Sequence, residues 1–357
     1  MKKLFAIVLC ICMALSIVAC GPKEAEYKLG MGIVVSTAES KTGNAQVDAT
    51  VATVVTDADG KIVACRIDVA QNKMTVTDGA VDADQTFKTK MEKGDEYGMA
   101  AAVNYGMDWN GDGVVKEWYD QAKAFEAYVV GKTVTEVEAI KTQKLESGYI
   151  IATDEALLSA GCTIQITDFI EAVAKACKDE QGVSFTAVAD SFTLGVAANT
   201  SAEESTAASE EADGTVAMYS DFAATVVADG KIVAALNDAI QPKITINTAG
   251  EIVKAEFKAT KRELKEDYNM SPAVNYGMDW NGDGVVKEWY IQSAEFSKFV
   301  VGKTADEVKA MTTKAAAAEG SGAGYQISAD DALLSAGCTI QISAIKDVVA
   351  EAVNNAR

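Results

Sequence analysis

Two short segments place oxygen-bearing side chains at a spacing that could hold a metal ion. Asp108-x-Asn110-x-Asp112-Gly113 and its copy Asp279-x-Asn281-x-Asp283-Gly284 set oxygen ligands at the first, third and fifth places and glycine at the sixth, as a calcium-binding loop requires. The second half of each loop departs from that pattern. Lys116 and Lys287 stand at the ninth place, and Tyr119 and Tyr290 at the twelfth, where a bidentate carboxylate should close the shell. Glu117, Asp120 and Glu288 are the nearest carboxylates that could substitute. A polar turn leading into an aromatic helix is the other reading of the same residues. Trp118, Tyr119, Tyr128 and their copies are suited either to stacking on a ring ligand or to an ordinary core stripe. Gly30-Met31-Gly32 lacks the remainder of a dinucleotide fingerprint and is read as a turn.

Composition narrows the chemistry further. The 357 residues contain no histidine, which removes Ser-His-Asp and Cys-His nucleophiles, His-containing zinc sites and imidazole acid–base work together. Whether the chain is an enzyme stays open, because Glu117 and Glu288 could still move protons. Nothing in the sequence pairs them with a partner. The formal charge of −20 argues against nucleic acid or an anionic lipid surface as a partner, since both need clustered Lys and Arg.

These candidate sites sit in a chain that is written twice. Asn104 to Tyr119 returns unchanged as Asn275 to Tyr290, and Asp154 to Gln165 is closely matched by Asp330 to Gln341. The expected architecture is therefore α+β in two tandem repeats of residues 29–182 and 183–357, each able to bury a core. The acidic Ser/Ala-rich stretch 199–213 is an enlarged loop inside the second copy. Within a copy, Val47 to Val55 and Lys61 to Val69 alternate as a β-hairpin around Asp57-Ala58-Asp59-Gly60. On this reading Val63, Cys65, Ile67 and Val69 share the inward face. A third strand is expected near Thr86 to Lys90 and Phe257 to Lys261. Helical spacing predicts an amphipathic helix over Val114 to Val130, and a final helix from Thr167 to Lys178 that buries Phe169, Ala172, Val173 and Ala176. Thr133 with Glu136, and Thr304 with Glu307, have the spacing of a capping box. Strands followed by helices that pack on them indicate α+β.

The amino terminus directs the chain out of the cytoplasm. Lys2 and Lys3 precede an apolar run from Leu4 to Val18, the order of an export leader. Ile17-Val18-Ala19-Cys20 resembles the lipobox of bacterial lipoproteins. That resemblance implies cleavage after residue 19, lipidation of the Cys20 sulfur, palmitate on the mature terminus, a tether over residues 20–28, and residence on the extracytoplasmic face of the cell membrane. An ordinary cleaved secretion signal and an uncleaved anchor are the alternatives. Without the leader the balance is 30 basic against 52 acidic residues, a charge of −22. Cys65, Cys162, Cys177 and Cys338 then remain, too few for a disulfide framework. Cys65 and Cys177 could pair or stay as free thiols.

The last segment of each copy carries a second resemblance. Asp331-Ala332-Leu333-Leu334-Ser335-Ala336-Gly337-Cys338-Thr339, with the helix-forming run from Ser343, is similar to the C-terminal signature of the FMN-binding domain family, and Asp154 to Thr163 repeats it. The Asp-Gly-Lys hairpins, Tyr97-Gly98-Met99 and Tyr268-Asn269-Met270 extend the likeness. It implies a flavin carrier in extracellular electron transfer, with Thr163 and Thr339 as acceptors of FMN through a phosphoester. Ser159, Gly161, Asp154, Ser335, Gly337 and Asp331 would be the supporting residues. The implied partners are a flavin transferase and membrane electron-transfer components. A small-residue turn at a helix start suits a phosphate, because free N–H groups and the helix dipole favour an anion. Both copies place cysteine where the family has alanine, and an extra residue between serine and glycine. Two further readings stand beside this one. Thr163 and Thr339 could begin a buried strand or turn, with Cys162 and Cys338 as core residues. The scaffold could also serve a non-redox surface or binding lipoprotein, stabilised by Ca2+.

Overall fold

A computed structural model describes residues 23–100, 115–146, 148–270, 286–316 and 325–357. Cys20 and the leader, and Asp108, Asn110, Asp112, Asp279, Asn281 and Asp283 of the calcium-type loops, lie outside the described residues.

Three long strands open the described chain: β1 (Glu24–Ser36), β2 (Asn44–Asp57) and β3 (Ile62–Thr75). Helical segments follow, α1 (Lys90–Lys93), α2 (Trp118–Val129) and α3 (Val134–Glu138), then the short pair β4 (Thr142–Lys144) and β5 (Ile150–Ala152), α4 (Glu155–Ser159) and α5 (Thr167–Cys177). The second half continues through β6 (Val183–Val188), β7 (Thr193–Ser201), β8 (Gly214–Val216), β9 (Tyr219–Ala228), β10 (Lys231–Ile240), β11 (Lys243–Ile246) and β12 (Ile252–Glu256). It ends with α6 (Lys261–Leu264), α7 (Trp289–Phe299), α8 (Ala305–Lys309), the pair β13 (Thr313–Ala315) and β14 (Gln326–Ser328), α9 (Asp331–Ser335) and α10 (Ser343–Asn354).

All strand pairs among the described residues are antiparallel and the class is α+β. The main sheets run β3-β2-β1-β6 and β10-β9-β7, with β12-β11-β8 beside the second. β3 runs unbroken through Asn72, whereas Pro242 at the matching place separates β10 from β11. Proline cannot donate to a ladder, so the long strand becomes two.

Residues of one strand alternate between two cores. From β1, Leu29, Met31 and Ile33 join Val51 and Val55 of β2, and Leu194, Val196, Phe222, Val226 and Leu236 of the second half, in one buried cluster. The opposite face of the first sheet, with Val54, Cys65 and Ile67, packs on Phe125, Phe169 and Val173 of α2 and α5. Ala197, Ala223 and Ala235 pack likewise on Phe296, Val348 and Val349 of α7 and α10. The layers are helix, sheet, sheet, helix. Each half keeps a helix-side core of its own and shares the sheet-side core with the other, so burial of both strand faces explains their near-continuous apolar runs.

The hairpin and the terminal helix α5 lie where alternation and helical spacing put them, and Thr133 and Thr304 each close a capping box on α3 and α8. Several details differ from the sequence reading. The register shifts between Val55 and Thr56, so Val63 turns to the shared core while Ile62, Cys65 and Ile67 face the helices. No strand forms over 86–90; Thr89 caps α1 in a box with Glu92, and Thr260 does the same for α6 with Glu263. α2 begins at Trp118 because Glu117 is held extended as its N-cap residue, at φ −60° and ψ 156°. Residues 24–28, expected in the tether, begin β1 and pair with β6, where Tyr27 stacks on Phe185 at 5.7 Å between ring centroids.

Gly30-Met31-Gly32 is likewise strand rather than turn. A Cβ on Gly30 would stand 2.0 Å from the carbonyl oxygen of Ala176 in α5, and one on Gly195 in β7 only 1.8 Å from that of Ala352 in α10. These glycines let a helix backbone lie directly on a strand. Residues 202–213 join β7 to β8 within the second half, with Ala202 and Ser205 buried. No described helix is long and apolar enough to cross a membrane.

Candidate functional site

Each repeat of the Ser-Ala-Gly-Cys-Thr segment folds alike. Asp154 caps α4 by accepting hydrogen bonds from the N–H groups of Ala156 (3.0 Å) and Leu157 (3.4 Å). A hydrogen bond from Tyr128 also holds its carboxyl below the usual range. In the second copy the capping residue is Asp330, bonded to Ala332 and Leu333. Asp331, expected among the site residues, follows it and is exposed. Ser159 and Ser335 end α4 and α9 and are exposed. Gly161 and Gly337 then turn the chain at φ +82° each, a conformation that favours glycine. Lys116 Nζ donates to Ala160 O at 2.8 Å and Lys287 Nζ to Ala336 O at 2.6 Å, so a lysine lies over each turn.

The turn delivers Cys338 and Thr339 into the interior. Burial pushes both Cys162 and Cys338 thiols up to about 12, which leaves them as small core side chains. All four described cysteines, Cys65 and Cys177 included, are free thiols. Thr163 and Thr339 are buried, and each is gripped by a glutamine of the aromatic helix. Gln292 Oε1 accepts the Thr339 N–H at 2.7 Å and its hydroxyl at 3.2 Å, and Gln121 does the same for Thr163 at the same distances. The glutamines are themselves fixed, since Gln292 Nε2 donates to Lys287 O at 2.6 Å and Gln121 Nε2 to Lys116 O at 2.8 Å.

In the second half the threonine opens on a cavity of about 530 Å³, lined among others by Lys243, Lys261, Tyr268, Trp289, Tyr325 and Thr339. That volume lies within the usual range of small-molecule and cofactor sites, roughly 300–1,000 Å³. Lys261 Nζ lies 5.1 Å from the ring centroids of both Tyr268 and Trp289, a cation on an aromatic wall. Burial raises the Asp221 carboxyl on the same wall, against the pull of Lys261. Tyr219, Glu204 as a second acid, and Ala344 and Ile345 at the start of α10 also line it. No side chain caps that helix start, so its N–H groups and dipole favour an anion nearby.

A flavin mononucleotide fits this donor set. Two lysines and a helix start suit its phosphate, and Trp289, Tyr268 and Tyr325 suit its ring. Of the residues singled out from the sequence in this half, Thr339 and Trp289 line the cavity, Gly337 makes the turn behind it, and Asp331 and Ser335 are the exposed ends of α9. Gln121, Gln292, Lys261 and Lys243 were missed. Gln121 and Gln292 had a signal, because a polar residue three places after Trp118 or Trp289 falls on the apolar stripe of its helix and recurs in both copies.

The remaining candidates are occupied otherwise. Glu117 accepts from the N–H groups of Met99 and Ala100 at 2.9 Å each, and Glu288 from Met270 at 2.9 Å. Both buried carboxylates therefore tie the aromatic helix to the Tyr-x-Met segment. Tyr119 and Tyr290 point their hydroxyls at Asp95 (3.0 Å) and Glu266 (2.8 Å). Among the described residues no group of three or more metal-ligating side chains forms.

Comparison with known proteins adds little that could identify the chain. No family model matches it and no solved structure matches it. It is similar to a chlorophenol reductase of Desulfitobacterium hafniense, 37% identical over 103 residues, which cover 25% of this chain and 28% of that protein. The chain thus spans well under a third of the length of that relative.

Proposed function

We propose that the protein is a lipid-anchored extracytoplasmic flavin carrier, tethered through Cys20, that holds FMN at Thr339 and passes electrons between membrane components. One observation carries the reading: a buried threonine stands at the wall of a cavity that combines two lysines, four aromatic rings and an uncapped helix start with two carboxylates, Glu204 and Asp221. When bound, FMN supplies one- or two-electron redox chemistry. The residues of the chain do the rest. Gln292 fixes the threonine oxygen, Lys243 and Lys261 offset phosphate charge, and the aromatic wall holds a flat ring out of water. The likeness to a protein named a reductase agrees with a redox role and says nothing about flavin.

Attachment requires a flavin transferase with FAD as donor. The Thr339 Oγ–P bond forms, the pyrophosphate P–O bond of FAD breaks, AMP leaves, and the hydroxyl proton passes to a base on the transferase. Co-expression with such a transferase should give protein whose flavin absorbance survives denaturation. Colourless protein from that experiment would overturn the reading. Labelling with palmitate, lost on Cys20→Ser, tests the anchor separately.

A further inference from the structure

The two halves share the threonine, the glutamine grip, and a lysine over one tyrosine and one tryptophan, yet the walls around the threonines are not alike. The flavin site of the second half has Ala344 and Ile345 at the start of α10, with no acid in its first turn. In the first half the same two places are Asp168 and Phe169 at the start of α5. Asp168 sits in the first turn, where its own carboxylate occupies the field that would favour a phosphate. Phe169 packs edge-on to Trp118, at 5.9 Å between centroids and 85° between planes, so the ring matching Trp289 has an aromatic neighbour where the second half has an aliphatic one.

A second acid stands nearby. Asp48 on β2 takes the place of Tyr219 on β9, and its charge is felt by both Lys90 and Asp168. Asp48 Oδ2 accepts from Gln46 Nε2 at 2.6 Å, while Oδ1 is buried with no hydrogen-bond partner among the described residues. Lys90, the counterpart of Lys261, thus has Asp48 and Asp168 beside it, whereas Lys261 has Asp221, with Tyr219 and Ala344 at the places of Asp48 and Asp168.

We infer that the two sites are chemically unequal: the second half accepts the flavin at Thr339, and Asp168 and Asp48, with Phe169 over Trp118, exclude it from Thr163. The chain is a one-flavin carrier with a duplicate site turned to structural use. This inference rests on the flavin reading above.

The test is the intact mass of the full mature chain, co-expressed with the flavin transferase and excess FAD. One flavin per chain is expected, retained in Thr163→Ala and lost in Thr339→Ala. Ala344→Asp should cut loading about tenfold by placing an acid in the first turn of α10, and Asp168→Ala should admit measurable flavin at Thr163. Two flavins on the unaltered chain would overturn the inequality and leave the flavin reading intact, whereas a single flavin lost with Thr163→Ala would overturn the assignment to Thr339 in both. No flavin on any variant would overturn both. Full loading of Ala344→Asp, in a protein that melts like the parent, would remove the acid from the explanation.

Discussion

Gln292 Oε1 lies 2.7 Å from the backbone nitrogen of Thr339 and 3.2 Å from its hydroxyl, so one amide oxygen sets both the depth and the orientation of the proposed acceptor. Gln292→Leu leaves a buried N–H and hydroxyl without an acceptor, which typically costs about 1–3 kcal/mol. The expected outcome is a lower urea midpoint with unchanged slope, together with reduced flavin loading. Gln292→Glu, which keeps an acceptor, should recover more of the loading than of the stability, a separation that a purely structural glutamine would not show.

The close approach of helix to strand gives a second expectation. Gly195→Ala drives a methyl group to 1.8 Å from Ala352 O, and Gly30→Ala to 2.0 Å from Ala176 O. In both cases the obstacle is backbone, so the helix itself must move. Overpacking of this kind costs about 1–3 kcal/mol and sometimes more. Thermal denaturation should show both variants destabilised by at least that amount, with Gly195→Ala also disturbing the cavity at α10.

Across the halves, Arg262 Nη2 meets Asp179 Oδ2 at 3.0 Å, with Arg262 buried and Asp179 nearly so, and Asp179 Oδ2 also accepts the Met31 N–H at 3.1 Å. Removing one member of a buried pair leaves an uncompensated charge and costs about 3–5 kcal/mol. Arg262→Ala should therefore destabilise strongly. Asp179→Ala combined with Arg262→Ala should cost less than the two single changes added together, which a double-mutant cycle measures.

Buried acids give the protein a definite pH response. Desolvation raises Asp68 and Asp238 from 3.8 to about 6. Burial, and then a hydrogen bond with Glu92, raises Glu351 from 4.5 to about 7. Groups raised in the folded state bind protons that the unfolded chain has already released, so stability falls as pH rises through roughly 4 to 7. Chemical denaturation across that range should show the decline. Glu351→Gln should flatten its upper part; because the residue is half-exposed, the gain at pH 8 should be about 0.5–1 kcal/mol rather than the full linkage value. The matching contact between the halves, Lys175 with Glu263 at 3.1 Å, pairs opposite charges and should add no such slope.

Local pattern made much of this architecture readable. Alternation found the β2–β3 hairpin, helical spacing found α5, and Thr-x-x-Glu found α3 and α8. The same Thr-x-x-Glu signature at Thr89 and Glu92 marked α1, where a strand was expected instead. What escaped depended on partners distant in the chain. Gly30 and Gly32 looked like turn residues because the helix that needs them lies about 140 residues away, at Ala172 and Ala176. The shared core was hidden because Ala49, Val51, Ala52, Val54 and Val55 are buried on both faces of one strand, which blurs the alternation that tells inside from outside. At the candidate site, Thr339 was singled out through its signature, whereas Lys243, Lys261 and Gln292 around it come from three other segments.

The most direct measurement is the visible absorbance of denatured, washed protein after co-expression with a flavin transferase, compared with its Thr339→Ala variant. A flavin band that persists in the parent and vanishes in the variant is the expected result. A band of equal strength in both, or in neither, would contradict FMN carriage at Thr339.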